Sequence, residues 1–268
     1  MLAARLRAAG SVFAEDEASL LLSAASDPAT LAAMVERRVA GEPVETIVGW
    51  AAFCGLRIVV APGVFVPRRR TELLVREAIS VVQWKVAEIS PDRQPFATGL
   101  PIVELCCGTA AVATAIGAGM GESAGWLDVH AADIDPRATE CARENLGELG
   151  QVHTGDLYDA LPVDLRGRVD VLVANAPYVP TDEIAMMPPE ARDHEPRVAL
   201  DGGPDGLDVQ RRIIDGAPDW LAPGGHLLIE TSRRQATETV AAFGAAGLRT
   251  RVVTDDGLDA TAVVGHRP

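Results

Sequence analysis

The chain has 268 residues, 48% of them apolar, which allows a sizeable core and excludes a disordered polypeptide. Its 24 basic and 38 acidic residues leave a net charge of −14, so the overall field repels a polyanion such as duplex DNA. Glu15, Asp16 and Glu17 interrupt any leader pattern, and the uncharged stretch Leu105 to Gly121 is too short for a bilayer, so a cytoplasmic protein without membrane contact is expected.

Residues 1–40 are rich in Ala, Leu, Arg and Glu. Leu20, Leu21, Met34, Val35 and Val39 fall at helical spacing, and Asp27-Pro28 reads as a helix start. This predicts a small helical appendage. Between 41 and 67 the texture turns aromatic and β-branched: Ile47-Val48-Gly49-Trp50 and Leu56 to Val60 flank Gly55, as in a β-hairpin linker. Thr71 is placed to cap a helix running to about Glu88, ahead of a polar loop with Pro91, Pro95 and Gly99. Cys54, Cys106, Cys107 and Cys141 lack the spacing of a metal knuckle and read as reduced, small, buried thiols.

After Pro101 strands and helices alternate. The strands are Ile102–Cys106, Leu127–Ala132, Val152–Thr154, Val169–Ala174, Leu227–Glu230, Arg249–Val253 and Ala260–Val264. Helices fit between most of them, notably Ala111–Ala118 and Pro136–Leu146. Residues 68–268 are thus expected to form an α/β domain with a seven-stranded, mainly parallel sheet covered on both faces. Ligands of such sheets bind beyond the carboxyl ends of the strands.

Three carboxylates fall at or just past those ends: Glu104 in "VELCCGTAA", Asp133 in "AADIDP" and Asp156 in "GDLYDALP". The first loop has small residues but a single glycine, Gly108, so the dinucleotide fingerprint is missing. Asp133 reads as an acceptor for ribose hydroxyls, because Asp135-Pro136 already supplies the cap of the next helix. Asp156 reads either as a ligand or as the start of an Asx-type turn. In "VANAPYVP" the strand stops at Asn175, and Pro177 ends any further ladder pairing. A plain strand-to-loop turn is the competing reading of that octapeptide.

From about residue 41 onward the chain resembles the protein-(glutamine-N(5)) methyltransferases of the HemK type, which have a Rossmann-like class I methyltransferase fold. The likeness rests on "GEPVETIVGWAAFCGLRIVVAPGVFVPRRRTELLV", on "NAPY" and on "ALDGGPDGLDVQRRIIDGAPDWLAPGGHLLIE". It implies S-adenosyl-L-methionine as cofactor, and a protein substrate carrying an exposed glutamine, with peptide-chain release factors the first to try. It assigns the helical region 1–40 to substrate recognition. Glu104, Cys106, Gly108, Asp133, Ile134, Asp156, Leu157 and Asn175 are then expected to bind the cofactor. The resemblance further implies that Asn175, Ala176, Pro177 and Tyr178 carry the catalysis and that Arg68, Glu195 and Arg197 lie near the substrate, with a structural ion pair the competing reading of Glu195 and Arg197. The family's Asp-x-Gly-x-Gly-x-Gly is here Glu104-Leu105-Cys106-Cys107-Gly108-Thr109-Ala110, and its Asn-Pro-Pro-Tyr is Asn175-Ala176-Pro177-Tyr178. Arg69 and Arg70 replace a proline and an acid in the family's entry motif.

The chemistry explains the motif. An amide nitrogen is a poor nucleophile because its lone pair is delocalised into the carbonyl. Two acceptors that hold both N–H groups can turn the lone pair toward a sulfonium methyl. The Asn175 side-chain oxygen and the Ala176 carbonyl suit that task, and Tyr178 offers an electron-rich ring face. Amino-methylation of adenine or of a small amine or amide remains open, as does a non-catalytic cofactor-binding module. His130, His153 and His226 sit in strands at scattered positions and are read as core residues, with no metal constellation.

Overall fold

The computed structural model describes residues 1–88 and 99–268, so the loop expected around Pro91 and Pro95 lies outside the described residues. The chain starts with four helices: α1 (Leu2–Ala8), α2 (Ala14–Ala24), α3 (Pro28–Val39) and α4 (Val44–Val48). Asp27 opens α3 as its sequence implies. Its Oδ1 accepts from the Ala29 and Thr30 amides at 2.8 and 2.9 Å, with Pro28 in the first turn. Leu6, Leu21, Val35, Val44 and Ile47 share a small core of their own.

The helical region therefore runs past residue 40. Ile47 and Val48, read as strand, belong to α4, which ends at Gly49 with φ 86. Burial of Ile47 against the other helices outweighs its β-branched preference. The hairpin is correspondingly short: β1 (Trp50–Phe53) pairs antiparallel with β2 (Leu56–Val59) across Cys54 and Gly55. Cys54 is exposed at that turn, against the expectation of a buried thiol.

The remaining elements are α5 (Glu72–Glu88), β3 (Leu100–Leu105), α6 (Ala111–Met120), β4 (Leu127–Asp133), α7 (Pro136–Leu146) and β5 (Gly150–Thr154). They continue with β6 (Val169–Ala174), α8 (Pro189–His194), α9 (Asp208–Trp220), β7 (Leu221–Thr231), α10 (Ala236–Ala245), β8 (Arg249–Asp255) and β9 (Ala260–His266). Among the described residues seven strands form one sheet in the order β5-β4-β3-β6-β7-β9-β8. All neighbours run parallel except β9, which is antiparallel to both β7 and β8.

Every residue of β3 is buried, as a central strand between two helical layers requires. One apolar layer joins Leu74, Val82, Ile116 and Val129, the other Leu172, Ile213, Ile229 and Phe243. The chain passes from β3 outward to β4 and β5, then returns to β6 on the other side of β3. That reversal opens a cleft beyond the carboxyl ends of β3 and β6. No helix among the described residues is long and apolar enough to cross a membrane.

Candidate active site

The cleft holds a cavity of about 290 Å³ whose walls include Glu104, Cys106, Gly108, Asp133, Ile134, Asp156, Leu157, Asn175, Ala176, Pro177 and Tyr178. All eight residues expected to hold a cofactor, and all four of the motif, thus line one pocket.

One wall consists of two loops tied together by carboxylates. Asp133 accepts from the Gly108 amide at 2.8 Å and from the Asp135 amide at 2.9 Å. It therefore joins the turn after β3 to the turn after β4, while Asp135 caps α7 through the Arg137 amide at 2.9 Å. Burial pushes the Asp133 carboxyl up, and the three main-chain amides around it oppose that shift. Glu104 is fully enclosed and accepts from the Ala113 amide in the first turn of α6 at 2.7 Å. Desolvation pushes it up to about 8. The loop between them departs from glycine at a conformational cost: Cys106 and Ala110 adopt φ 53 and 55, the left-handed region that glycine enters freely. Asp156, at the next strand end, is held from α9 by Arg212 at 2.7 Å.

The opposite wall carries the acceptors. Asn175 Nδ2 donates to Thr71 Oγ1 at 3.2 Å. No described residue donates to Asn175 Oδ1 or to the Ala176 carbonyl oxygen, and both residues line the cavity. The Tyr178 hydroxyl donates to Glu230 Oε1 at 3.3 Å and accepts from Arg70 Nη1 at 3.4 Å. Burial, with the nearby Glu230 charge, pushes Tyr178 up to about 12 and keeps it neutral.

The "DGGPDGLD" stretch packs against the main chain of this motif. A Cβ on Gly206 would stand 2.3 Å from the Tyr178 oxygen, and one on Gly202 would stand 2.7 Å from the Pro177 oxygen. Gln235 completes the clamp by donating to the Tyr178 carbonyl at 2.9 Å.

The substrate-side expectations divide. Arg68 lines the pocket, pairs with Glu195 at 2.6 Å and lies 4.9 Å over the Phe65 ring. Glu195 is buried beneath that pair, also accepts from the Val66 amide at 3.3 Å, and is a brace rather than a wall of the pocket. Burial raises its pKa against the pull of Arg68. Arg197 is not among the residues lining the cavity and pairs with Asp201 at 3.0 Å, as the structural ion-pair reading has it.

Thr71, Arg70, Arg212 and Glu230 were missed as site residues. Thr71 looked like a helix cap, but its hydroxyl serves Asn175. Glu230 closes a strand whose apolar run gave no reason to single out its last carboxylate. Of the histidines, His130 is satisfied by His153 at 2.9 Å and Asp128 at 3.1 Å, whereas His226 keeps a buried Nδ1 without a partner among the described residues. Among the described residues no group of three His, Cys, Asp or Glu could hold a metal ion.

Comparison with known proteins follows the same lines. No protein-family model matches the chain. The release factor glutamine methyltransferase of Geobacter sulfurreducens is 34% identical over 247 residues, covering 90% of this chain and 80% of the relative. The chain belongs to the release factor glutamine methyltransferase family. The Streptomyces coelicolor member is 39% identical over 203 residues, covering 75% of this chain and 67% of the relative. A 4-amino-L-phenylalanine/4-methylamino-L-phenylalanine methyltransferase of Streptomyces pristinaespiralis is 35% identical over 237 residues, covering 87% of this chain and 76% of the relative. The ribosomal protein L11 methylase of Lactobacillus delbrueckii subsp. bulgaricus shares the fold, with TM-score 0.51 and 16% identity over 78% of this chain and 84% of that one.

Membership makes the chain a methyltransferase with S-adenosyl-L-methionine as cofactor, and the first wall fits that molecule. Gly108, with open space where a Cβ would be, lets a ligand approach the main chain, and Asp133 and Asp156 offer acceptors. Ile134, half-exposed beside Asp133, offers an apolar face.

Proposed function

We propose that this protein methylates the side-chain amide nitrogen of a glutamine in a protein, with a peptide-chain release factor as substrate, in the cytoplasm. The observation that carries the reading is a pair of acceptors to which no described residue donates, Asn175 Oδ1 and the Ala176 carbonyl, on residues that line the same pocket as Glu104, Asp133 and Asp156.

The cofactor supplies an electrophilic methyl group on a sulfonium. The chain's residues prepare the nitrogen. A primary amide has two N–H donors, and two acceptors set side by side fix both, which orients the nitrogen and shifts its electron pair away from the carbonyl. Orientation of this kind lowers a barrier by several kcal/mol, on the order of 7 or more in the best cases. A main-chain oxygen comes from Ala as readily as from Pro, so Ala176 preserves the function while Pro177 stiffens the turn behind it. Tyr178 stays neutral and presents its ring, with its hydroxyl tied back by Glu230 and Arg70. After transfer the nitrogen carries a very acidic proton, so no strong base is required.

The test is transfer of labelled methyl to a purified release factor, with the product identified as N5-methylglutamine by mass spectrometry. Duplex DNA should take no label. Activity should weaken mildly between about 50 and 200 mM salt, where an enzyme with six or more phosphate contacts would lose roughly a thousandfold in affinity. The relative from Streptomyces pristinaespiralis supports a second reading, a small aromatic amine as acceptor. Label in 4-amino-L-phenylalanine and none in protein would favour it.

A further inference from the structure

Asn175 acts as an acceptor only when its amide is turned with Oδ1 toward the substrate. The flipped amide would face the substrate's N–H donors with N–H donors of its own. Thr71 lies on the far side, buried at 3% exposure in the turn ahead of α5, with its Oγ1 3.2 Å from Asn175 Nδ2. A hydroxyl alone does not decide the flip, because it can accept from Nδ2 or donate to Oδ1.

Glu230 removes that freedom. This carboxylate, 3% exposed at the end of β7, is stabilised by the Thr71 hydroxyl and by Tyr178. Its Oε2 is buried and has no hydrogen-bond partner among the described residues, so it has room to accept one more proton donor. A carboxylate has no hydrogen to give, so a Thr71 proton directed to Glu230 leaves a lone pair of the hydroxyl turned toward Asn175. Tyr178 is constrained by the same logic: Arg70 can only donate to its oxygen, and its proton goes to Glu230. Burial raises the Glu230 pKa, and Thr71, Arg70 and Tyr178 oppose that rise.

We propose that Thr71, held by Glu230, is a positioning residue that fixes the Asn175 amide with its oxygen toward the substrate nitrogen. One buried carboxylate thereby orients both ends of the motif, Asn175 through Thr71 and Tyr178 directly. The inference rests on the reading of Asn175 as the amide acceptor.

Two measurements on the full chain test it. In steady-state kinetics Thr71→Val should lower kcat about tenfold or more, on the scale of a lost transition-state hydrogen bond, with KM and cofactor affinity within about twofold. Thr71→Ser, which keeps the hydroxyl, should recover most of the loss. In an Asn175→Ala background Thr71→Val should cost nothing further, because the residue it positions is gone. An additive loss in that background, or no rescue by serine, would mark Thr71 as a packing residue and overturn the proposal. The second measurement needs no substrate. The Asn175 side-chain NH₂ signals of the ¹⁵N-labelled protein should keep their positions in Thr71→Ser and move in both Thr71→Val and Glu230→Gln. Signals unmoved by either change would also overturn it. If they move as expected while wild-type protein leaves glutamine unmodified, the substrate reading falls and the positioning role stands.

Discussion

On the cofactor wall, Asp133 and Glu104 are held by main-chain amides of Gly108, Asp135 and Ala113, whereas on the acceptor wall Asn175 and Tyr178 are held by the side chains of Thr71, Glu230 and Arg70. Main-chain donors survive a change of side chain. The first wall therefore keeps its form with Cys106 and Ala110 at family glycine positions, at a cost in strain rather than in shape. The second wall tolerates substitution only where the main chain is what acts, as at Ala176. Its other members are fixed by particular hydroxyl and carboxyl groups.

The largest effect should come from the acceptor wall. Asn175→Ala should cut turnover about a hundredfold or more while calorimetry finds cofactor affinity nearly unchanged. Loss of binding with turnover per bound cofactor intact would make Asn175 a turn residue and erase the contrast between the walls.

The next concerns Glu104, whose carboxyl is pushed from 4.5 to about 8 by burial. The folded protein retains a proton that the unfolded chain has released above pH 4.5, so the associated stability is complete below that pH. It is lost as pH rises through about 8, at a limit of about 1.4 kcal/mol per pH unit. Melting curves from pH 5 to 8 should fall for the wild type relative to Glu104→Gln. Parallel curves would show that another group titrates.

Asp133→Ala should weaken cofactor binding about tenfold or more, as loss of a charge-assisted hydrogen bond implies. Asp133→Asn, which keeps an acceptor for one loop amide, should lose less. Equal binding by a folded Asp133→Ala variant would remove this carboxylate from the site.

The smallest effect tests the strain directly. Cys106→Gly and Ala110→Gly each relieve a left-handed residue, worth about 1–2 kcal/mol, and add back about 0.4–1 kcal/mol of unfolded-chain entropy. A net gain of about 0.5–1 kcal/mol each should raise the melting temperature by about 1–4 °C. A lower melting temperature would mean that the side chains themselves hold the loop.

The sheet was legible because its strands are short, β-branched and bounded by turn residues; β6 and α7 have the bounds expected of them. The carboxylates at the strand ends were legible for a related reason: an acid after an apolar run has few structural uses, and Asp135 had already taken the capping one. α4 was not, because Ile47 and Val48 favour a strand locally and are helical only through contacts with residues far away in sequence. Nor were Thr71 and Glu230. Nothing adjacent to either marks it, and what joins them to Asn175 is the approach of the α5 entry turn to the ends of β6 and β7.

Arg38 gives the molecule a fixed ruler. This guanidinium, at the end of α3, is nearly buried between Glu17 of α2 and Glu190 of α8, with Glu17 at 2.8 Å. Just past α8 stands Glu195, which grips Arg68 on the pocket wall. The helical region is thus registered to the mouth of the pocket through a short relay of charged contacts. A rotation of the helical region would therefore break an ion pair on α8, the helix that leads to the residue holding Arg68 on the pocket wall.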